Sequence, residues 1–432
     1  MEYMENRRLY IWHRRRPSRL ARLFGPGLVT GAADDDPSGI ATYSQAGAAY
    51  GFGQLWTIIL CLPLMIAVQE ACARIGSATS QGLVKVTSRV YSKGILYAVV
   101  ALVVIANVIN IGADFAAVGA SLNLLIPLPI PVLSTIFMVL VLGLEILVGY
   151  HTYAKFLKIL ALSLISYVIV ALMVTNNWIA VFKATFIPQL QWNSAYWYVI
   201  VAVLGTTISP YMFFWQAAEE VEESNYAKNH DKEPRTIGEI RRDTSVGMSI
   251  SQIGSWFMII TAAVVLHENG VTNIGTAADA AKALEPLVAG SAYSGTIAKV
   301  LFAIGVIGMG LLGIPVLAGS VAYAMSDAFK WREGLDYKLK EAKQFYGVII
   351  LSTLAGWLIT ILGIDPIKSL VFAAVINGLV AVPLIFIIAR ISKNREIMGD
   401  LVGKRLSRAM LNIAFVVMLI CALMLVSTTI FS

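Results

Sequence analysis

The sequence predicts an all-α integral membrane protein with an inverted-repeat (5+5) transporter fold of about eleven transmembrane helices, the first and sixth of them broken. Three observations lead there. Of 432 residues, 58% are hydrophobic and only 14% charged, and the mean hydropathy is +0.74, whereas a soluble domain carries about 25% charged residues. Apolar runs of roughly 20 residues recur along nearly the whole length, each long enough to cross a bilayer as a helix. Two of these runs, five spans apart, are interrupted by proline near their middles, and interruptions at corresponding positions of two halves mark an inverted repeat. The runs are too long and too weakly alternating for a β-barrel.

Residues 1–21 hold Arg7, Arg8, Arg14, Arg15, Arg16 and Arg19. No short apolar core with a small-residue cleavage site follows, so they read as a cytoplasmic arm beside anionic headgroups rather than a signal peptide. The first repeat covers 22–175, with spans at 22–49 (interrupted), 53–76, 95–121, 130–150 and 156–175. An extracellular loop is expected at 176–196. The second repeat covers 197–390, with spans at 197–221 (interrupted), 244–266, 295–325, 346–363 and 367–389, and a flexible cytoplasmic loop at 222–243. A C-terminal segment, 391–432, carries the eleventh span at 408–430 outside the repeat. An odd number of spans per repeat forces the two halves into opposite orientations.

Basic residues fix the expected sidedness. With the N-terminus inside, the cytoplasmic segments hold 29 of the 33 Lys and Arg residues, and only Lys183, Lys282, Lys299 and Lys368 lie outside. That bias predicts a plasma-membrane protein with a cytoplasmic N-terminus and an extracellular C-terminus. It also accounts for the net charge of +7 without nucleic acid as a partner. Cys61, Cys72 and Cys421 fall in apolar spans and read as packing residues. His13, His151, His230 and His267 have no metal-ligand spacing, so neither zinc nor an iron–sulfur cluster is supported.

The chemistry lies in the two interruptions. In the first span, Asp34-Asp35-Asp36-Pro37-Ser38-Gly39 places three carboxylates at bilayer depth, where charge is costly and usually functional. Pro37 removes a backbone donor and Gly39 loosens the chain, which unwinds the helix and frees carbonyls. Freed carbonyls beside a carboxylate make a site for a hard cation. In the sixth span, Leu204-Gly205-Thr206-Thr207-Ile208-Ser209-Pro210-Tyr211 sets a second proline behind hydroxyl residues. Pro210 alone also reads as a simple kink; the matched acidic break favours a shared ion site.

These residues resemble the Nramp family of divalent-metal transporters. The resemblance runs over about 20–390 and rests on Gly25-Pro26-Gly27, Asp36 to Gly39, Gln45-Ala46-Gly47-Ala48, Tyr50-Gly51, Leu122-Asn123-Leu124-Leu125, Phe186-Ile187-Pro188, and Gly205 with Pro210. It implies that Asp36 is the metal-binding aspartate and that Ala33 and Thr206 contribute carbonyls. Four departures stand out. Gly39 replaces the motif's asparagine, Ser209 its methionine, Tyr211 and Gln216 two histidines, and Ile111 one acid of a pair whose other member is Asp114.

A thioether favours soft ions over magnesium and calcium, so Ser209 leaves an all-oxygen site. Losing methionine and asparagine also makes room for water, and magnesium is commonly held by one or two carboxylates plus retained waters. The pattern resembles the divergent Nramp-related magnesium transporters, with Mg²⁺ the expected cargo and Mn²⁺ also accepted. Missing histidines and a missing acid remove titratable groups, so transport uncoupled from protons is expected. At about 2.3 kcal/mol per charge per 100 mV, the membrane potential gives a divalent ion roughly 4.6 kcal/mol, on the order of a thousandfold concentration ratio.

Asp35 and Asp34 are expected to act on the ion through water. Glu70 either lines the inner exit or pairs with Arg74 one turn on. Asn110 and Asp114, four apart on one helical face, are expected to support the broken first helix, and Asn377 to face the site. Glu219-Glu220-Val221-Glu222-Glu223 reads as a solvated helix end or an acidic collar, and Glu145 has no assigned role. Two other functions compete. An amino-acid or amine transporter on the same fold could use the hydroxyls of Thr206 and Ser209, though Asp34 to Asp36 would repel a carboxylate. A non-transporting sensor would be expected to carry a sizeable soluble signalling domain. No nucleophile–base set, phosphate loop or zinc-ligand set suggests an enzyme. The expected partners are a divalent metal ion and the lipid bilayer, with no cofactor and no obligate protein partner.

Overall fold

A computed structural model describes residues 25–147, 165–229, 235–288 and 293–430. The basic arm therefore lies outside the described residues, as do 148–164, which take in the end of the fourth expected span and the start of the fifth. Pro26 opens α1 (Pro26–Asp34) and Pro37 opens α2 (Pro37–Tyr50). Proline suits the first position of a helix and pushes the preceding residue out of the helical region. Asp36 adopts φ −57° and ψ 174° and caps α2, its carboxylate accepting a hydrogen bond from the Gly39 N–H at 2.8 Å. The acidic stretch is an unwound junction between two half-helices.

Then come α3 (Trp56–Thr79), α4 (Lys93–Asn123), α5 (Ile130–Leu147) and α6 (Ile165–Val174). The sixth span divides in the same way into α7 (Ser194–Thr207) and α8 (Pro210–Asn229), with Ile208 and Ser209 non-helical between them. The second half continues with α9 (Ile237–Val265), α10 (Ser294–Phe329), α11 (Lys343–Ile361) and α12 (Pro366–Lys393), and α13 (Arg405–Ile430) follows. Among the described residues, nine helical stretches are long and apolar enough to cross a membrane, the α7–α8 pair counting as one. The divided first helix and the short α6 complete the eleven expected spans.

Small residues set the packing, as they do where lipid is as apolar as the helices themselves. The half-helices α1 and α2 lie on α9, α7 lies on α12, and α4 contacts α10, α11 and α12. A methyl group on Gly31 would fall 2.5 Å from the Gly247 backbone, and one on Gly112 would fall 2.8 Å from the Gly356 carbonyl oxygen. Gly205 presses in the same way on the backbone of Ala374 and Gly378. This seats the second junction against α12.

Both expected inter-span segments contain helix, with 230–234 of the second outside the described residues. Within 176–196, Trp178–Phe186 forms a helix capped by Asn177, whose side chain accepts from the Ala180 N–H at 3.0 Å. Trp256 of α9 holds that helix in place, donating to the Thr185 hydroxyl at 3.0 Å. Within 222–243, α8 runs on to Asn229 and α9 begins at Ile237. A reciprocal cap between Thr236 and Glu239 starts α9 there. In both segments polar residues serve as helix caps, Asn177 in the first and Thr236 in the second. Cys61, Cys72 and Cys421 are buried free thiols, as expected for packing residues.

Candidate metal site

The two junctions meet. The Tyr211 hydroxyl donates to the Ala33 carbonyl at 2.8 Å. The hydroxyls of Tyr43 and Thr207 are 2.9 Å apart, and those of Ser38 and Thr206 approach to 3.4 Å. Each contact joins an element of the first break to one of the second. Gly39 leaves the space between them open, since a methyl there would sit 3.0 Å from the Asp34 carbonyl oxygen and 3.6 Å from the Thr206 hydroxyl.

Asp36 is held from α4 as well. Asn110 donates its amide to Asp36 Oδ2 at 3.0 Å, and Asn377 of α12 approaches Asn110 Oδ1 at 3.5 Å. Asp114, one turn along α4 from Asn110, faces Asp36 across Gly313 of α10: a methyl at Gly313 would lie 2.9 Å from Asp36 Cβ and 3.8 Å from Asp114 Oδ2. Beside Asp36, both carboxylate oxygens of Asp114 and Asn377 Oδ1 are buried without a hydrogen-bond partner among the described residues, and at the second break the Ser209 hydroxyl is likewise buried and unpartnered. Unpartnered buried oxygens are costly, and they are what a hard cation accepts as ligands. Among the described residues no three His, Cys, Asp or Glu side chains gather as a metal cluster; the donors here are mixed carboxylate, hydroxyl, amide and carbonyl oxygens.

The sequence placed Asp34 and Asp35 beside the ion, and the structure turns both toward α9. Ser251 donates to Asp34 at 2.5 Å, Gln252 approaches the same oxygen at 3.4 Å, and Ser255 donates to Asp35 at 3.1 Å. The Ala33 carbonyl already accepts from Tyr211. Gln216 sits below the junction, accepting from Thr30 at 2.7 Å and reaching Glu220 at 3.3 Å, so it ties α8 to α1.

Of the two readings of Glu70, ion pairing holds. Its carboxylate lies 3.3 Å from Arg74, 2.9 Å from Arg241 and 3.1 Å from the Ser407 hydroxyl, joining α3, α9 and α13. Glu145 is half-buried with Oε2 unpartnered. Sequence reasoning missed Ser38, Tyr43, Gly313 and the α9 set Ser251, Gln252 and Ser255. The signal for that last set was three polar residues at helical spacing inside an apolar span.

The family model described as "Nramp: Natural resistance-associated macrophage protein-like" matches residues 27–428. The "Divalent metal cation transporter MntH" of Klebsiella pneumoniae (strain 342) is 25% identical over 405 residues, covering 90% of this chain and 91% of the relative. Its counterpart in Ralstonia nicotianae (strain ATCC BAA-1114 / GMI1000) is 26% identical over 424 residues, covering 94% and 91%. These relatives are named as transporters, not enzymes. Among solved structures, the Eremococcus coleocola manganese transporter superposes with a TM-score of 0.70 at 17% identity, covering 94% of this chain and 85% of that one. MhsT in complex with L-phenylalanine superposes with a TM-score of 0.63 at 13% identity, covering 94% and 98%; these likenesses show a shared overall fold. A model match over nearly the whole length places this chain in the Nramp family.

Proposed function

We propose that this protein carries divalent metal cations across the plasma membrane, with Mg²⁺ preferred and Mn²⁺ accepted, and without coupled proton movement. The ion binds partly hydrated between the junctions. Asp36 is the direct carboxylate ligand, Asp114 the facing charge, and Ser209, Thr206 and Asn377 are oxygen donors; Ala33 joins if Tyr211 releases its carbonyl. Asn110 and Gly39 position Asp36. The observation that supports this reading is buried oxygen without a hydrogen-bond partner among the described residues at both breaks: on Asp114 and Asn377 beside the Asp36 carboxylate, and on Ser209 at the second junction.

Two further features support it. The relatives' name, divalent metal cation transporter, fits a carboxylate-bearing junction. The donors are oxygen throughout, with Ser209 at the second break, which suits a hard ion that keeps water. Tyr211 and Gln216 offer no imidazole there, and both are occupied by hydrogen bonds to other parts of the fold.

Proteoliposomes containing the purified protein test it. Mg²⁺ uptake driven by an inside-negative potential should proceed with no change in lumenal pH, and Mg²⁺, but not amino acids, should compete with Mn²⁺ uptake. Acidification that scales with Mg²⁺ flux would contradict the uncoupled mechanism, and competition by amino acids alone would favour an organic substrate.

A further inference from the structure

Four carboxylates lie buried around the first junction: Asp34, Asp35, Asp36 and Asp114. Among the described residues, none of them is ion-paired with Lys, Arg or His. They divide into two pairs facing different helices. Asp36 and Asp114 face each other across Gly313 of α10. Asp34 and Asp35 turn to the polar run on α9, where the Ser251 hydroxyl bonds Asp34 at 2.5 Å and lies within reach of Asp35 too. The Ser255 hydroxyl is shared between Asp35 and the Ser251 carbonyl, at 3.1 Å to each.

These bonds do not satisfy the pair. Asp34 Oδ1 and Gln252 Oε1 remain without a partner among the described residues, on side chains 0% and 1% exposed. A carboxylate buried without a compensating charge is strongly unfavourable. Asp34 and Asp35 bond to α9, whereas Asp36 bonds to Asn110 of α4, so these oxygens form a polar group separate from the Asp36–Asp114 pair. Their surroundings are carboxylate, hydroxyl and amide oxygens, the ligand set of a hard divalent ion.

We propose that Asp34 and Asp35, with Ser251, Gln252 and Ser255 of α9, form a second cation site that takes a hard divalent ion such as Mg²⁺. The site rests on the reading that Asp36 and Asp114 hold the first ion. The Tyr43 hydroxyl, bonded to Thr207, lies close to the Asp34–Asp35 pair, so occupancy of the second site is sensed at the junction between α2 and α7.

Mn²⁺ serves as the probe, counted by equilibrium dialysis of the full-length protein in sodium-free buffer at pH 8 and located by anomalous scattering from soaked crystals. The expected result is two Mn²⁺ per chain, with one peak at Asp36–Asp114 and another between Asp34–Asp35 and α9. Asp34→Asn and Gln252→Leu should each reduce the count from two to one while the first peak remains. If neither variant folds, the peaks in the intact protein decide. A single Mn²⁺ at Asp36–Asp114 overturns the second site and leaves the transport reading standing. A map without a peak at Asp36–Asp114 overturns the transport reading itself.

Discussion

At the scale of single residues, proline chemistry and burial account for most of the site. Pro37 forces Asp36 into an extended conformation, and the same carboxylate both caps α2 and faces Asp114. A buried carboxylate with no cationic partner among the described residues is unfavourable until an ion arrives. Asp114→Asn is therefore expected to stabilise the metal-free protein by about 1–3 kcal/mol and to abolish the rise in thermal stability that Mg²⁺ gives the parent. A thermal-shift titration reads both; an undiminished Mg²⁺-dependent rise would remove Asp114 from the site. Ser209→Met should raise Cd²⁺ and Mn²⁺ uptake relative to Mg²⁺ by about tenfold, the equivalent of roughly 1.4 kcal/mol at one ligand. An unchanged ratio would show that residue 209 does not touch the ion. The two breaks that carry Asp36 and Ser209 were legible because proline interrupts an apolar pattern at each. Ser251 and Gln252 were not, because a polar residue in a membrane span does not reveal which neighbour it faces.

At the scale of elements, α1 is pinned at its start. The Asp243 carboxylate of α9 accepts from the Gly25 N–H at 3.1 Å and the Gly27 N–H at 2.8 Å, and it pairs with Arg235 at 2.8 Å. Arg235 continues to Glu220 of α8 at 3.2 Å. The first N–H groups of a helix have no partner within it, so this carboxylate takes the place of an N-cap from another helix. Asp243→Ala frees those N–H groups and should loosen α1 from α9. The expected outcome is several-fold faster labelling of Ala32→Cys by a membrane-impermeant thiol reagent; an unchanged rate would mean that glycine packing at Gly31 and Gly247 alone holds α1. The half-helices were legible from Pro37 and Pro210. The start of α9 was hidden because the Thr236–Glu239 cap lies in a charged stretch that reads as loop.

At the scale of the whole molecule, span order and the two breaks follow from hydropathy and proline placement, and the structure reproduces them. What hydropathy cannot supply is which helices touch, because in lipid the choice is made by small residues such as Gly205 against Gly378. The expected orientation rests on 29 basic residues assigned inside against four outside. Protease-cleavable tags on the two ends, in sealed right-side-out vesicles, should be protected at the N-terminus and cut at the C-terminus; both tags on one side would require an even number of crossings. The central claim is that oxygens from two unwound helices hold a wet divalent ion at Asp36. Mg²⁺ and Mn²⁺ flux into liposomes, compared for the intact protein and for Asp36→Ala at equal folded content, tests it most directly. Loss of both fluxes in the variant is the predicted result, and undiminished flux through Asp36→Ala would contradict it.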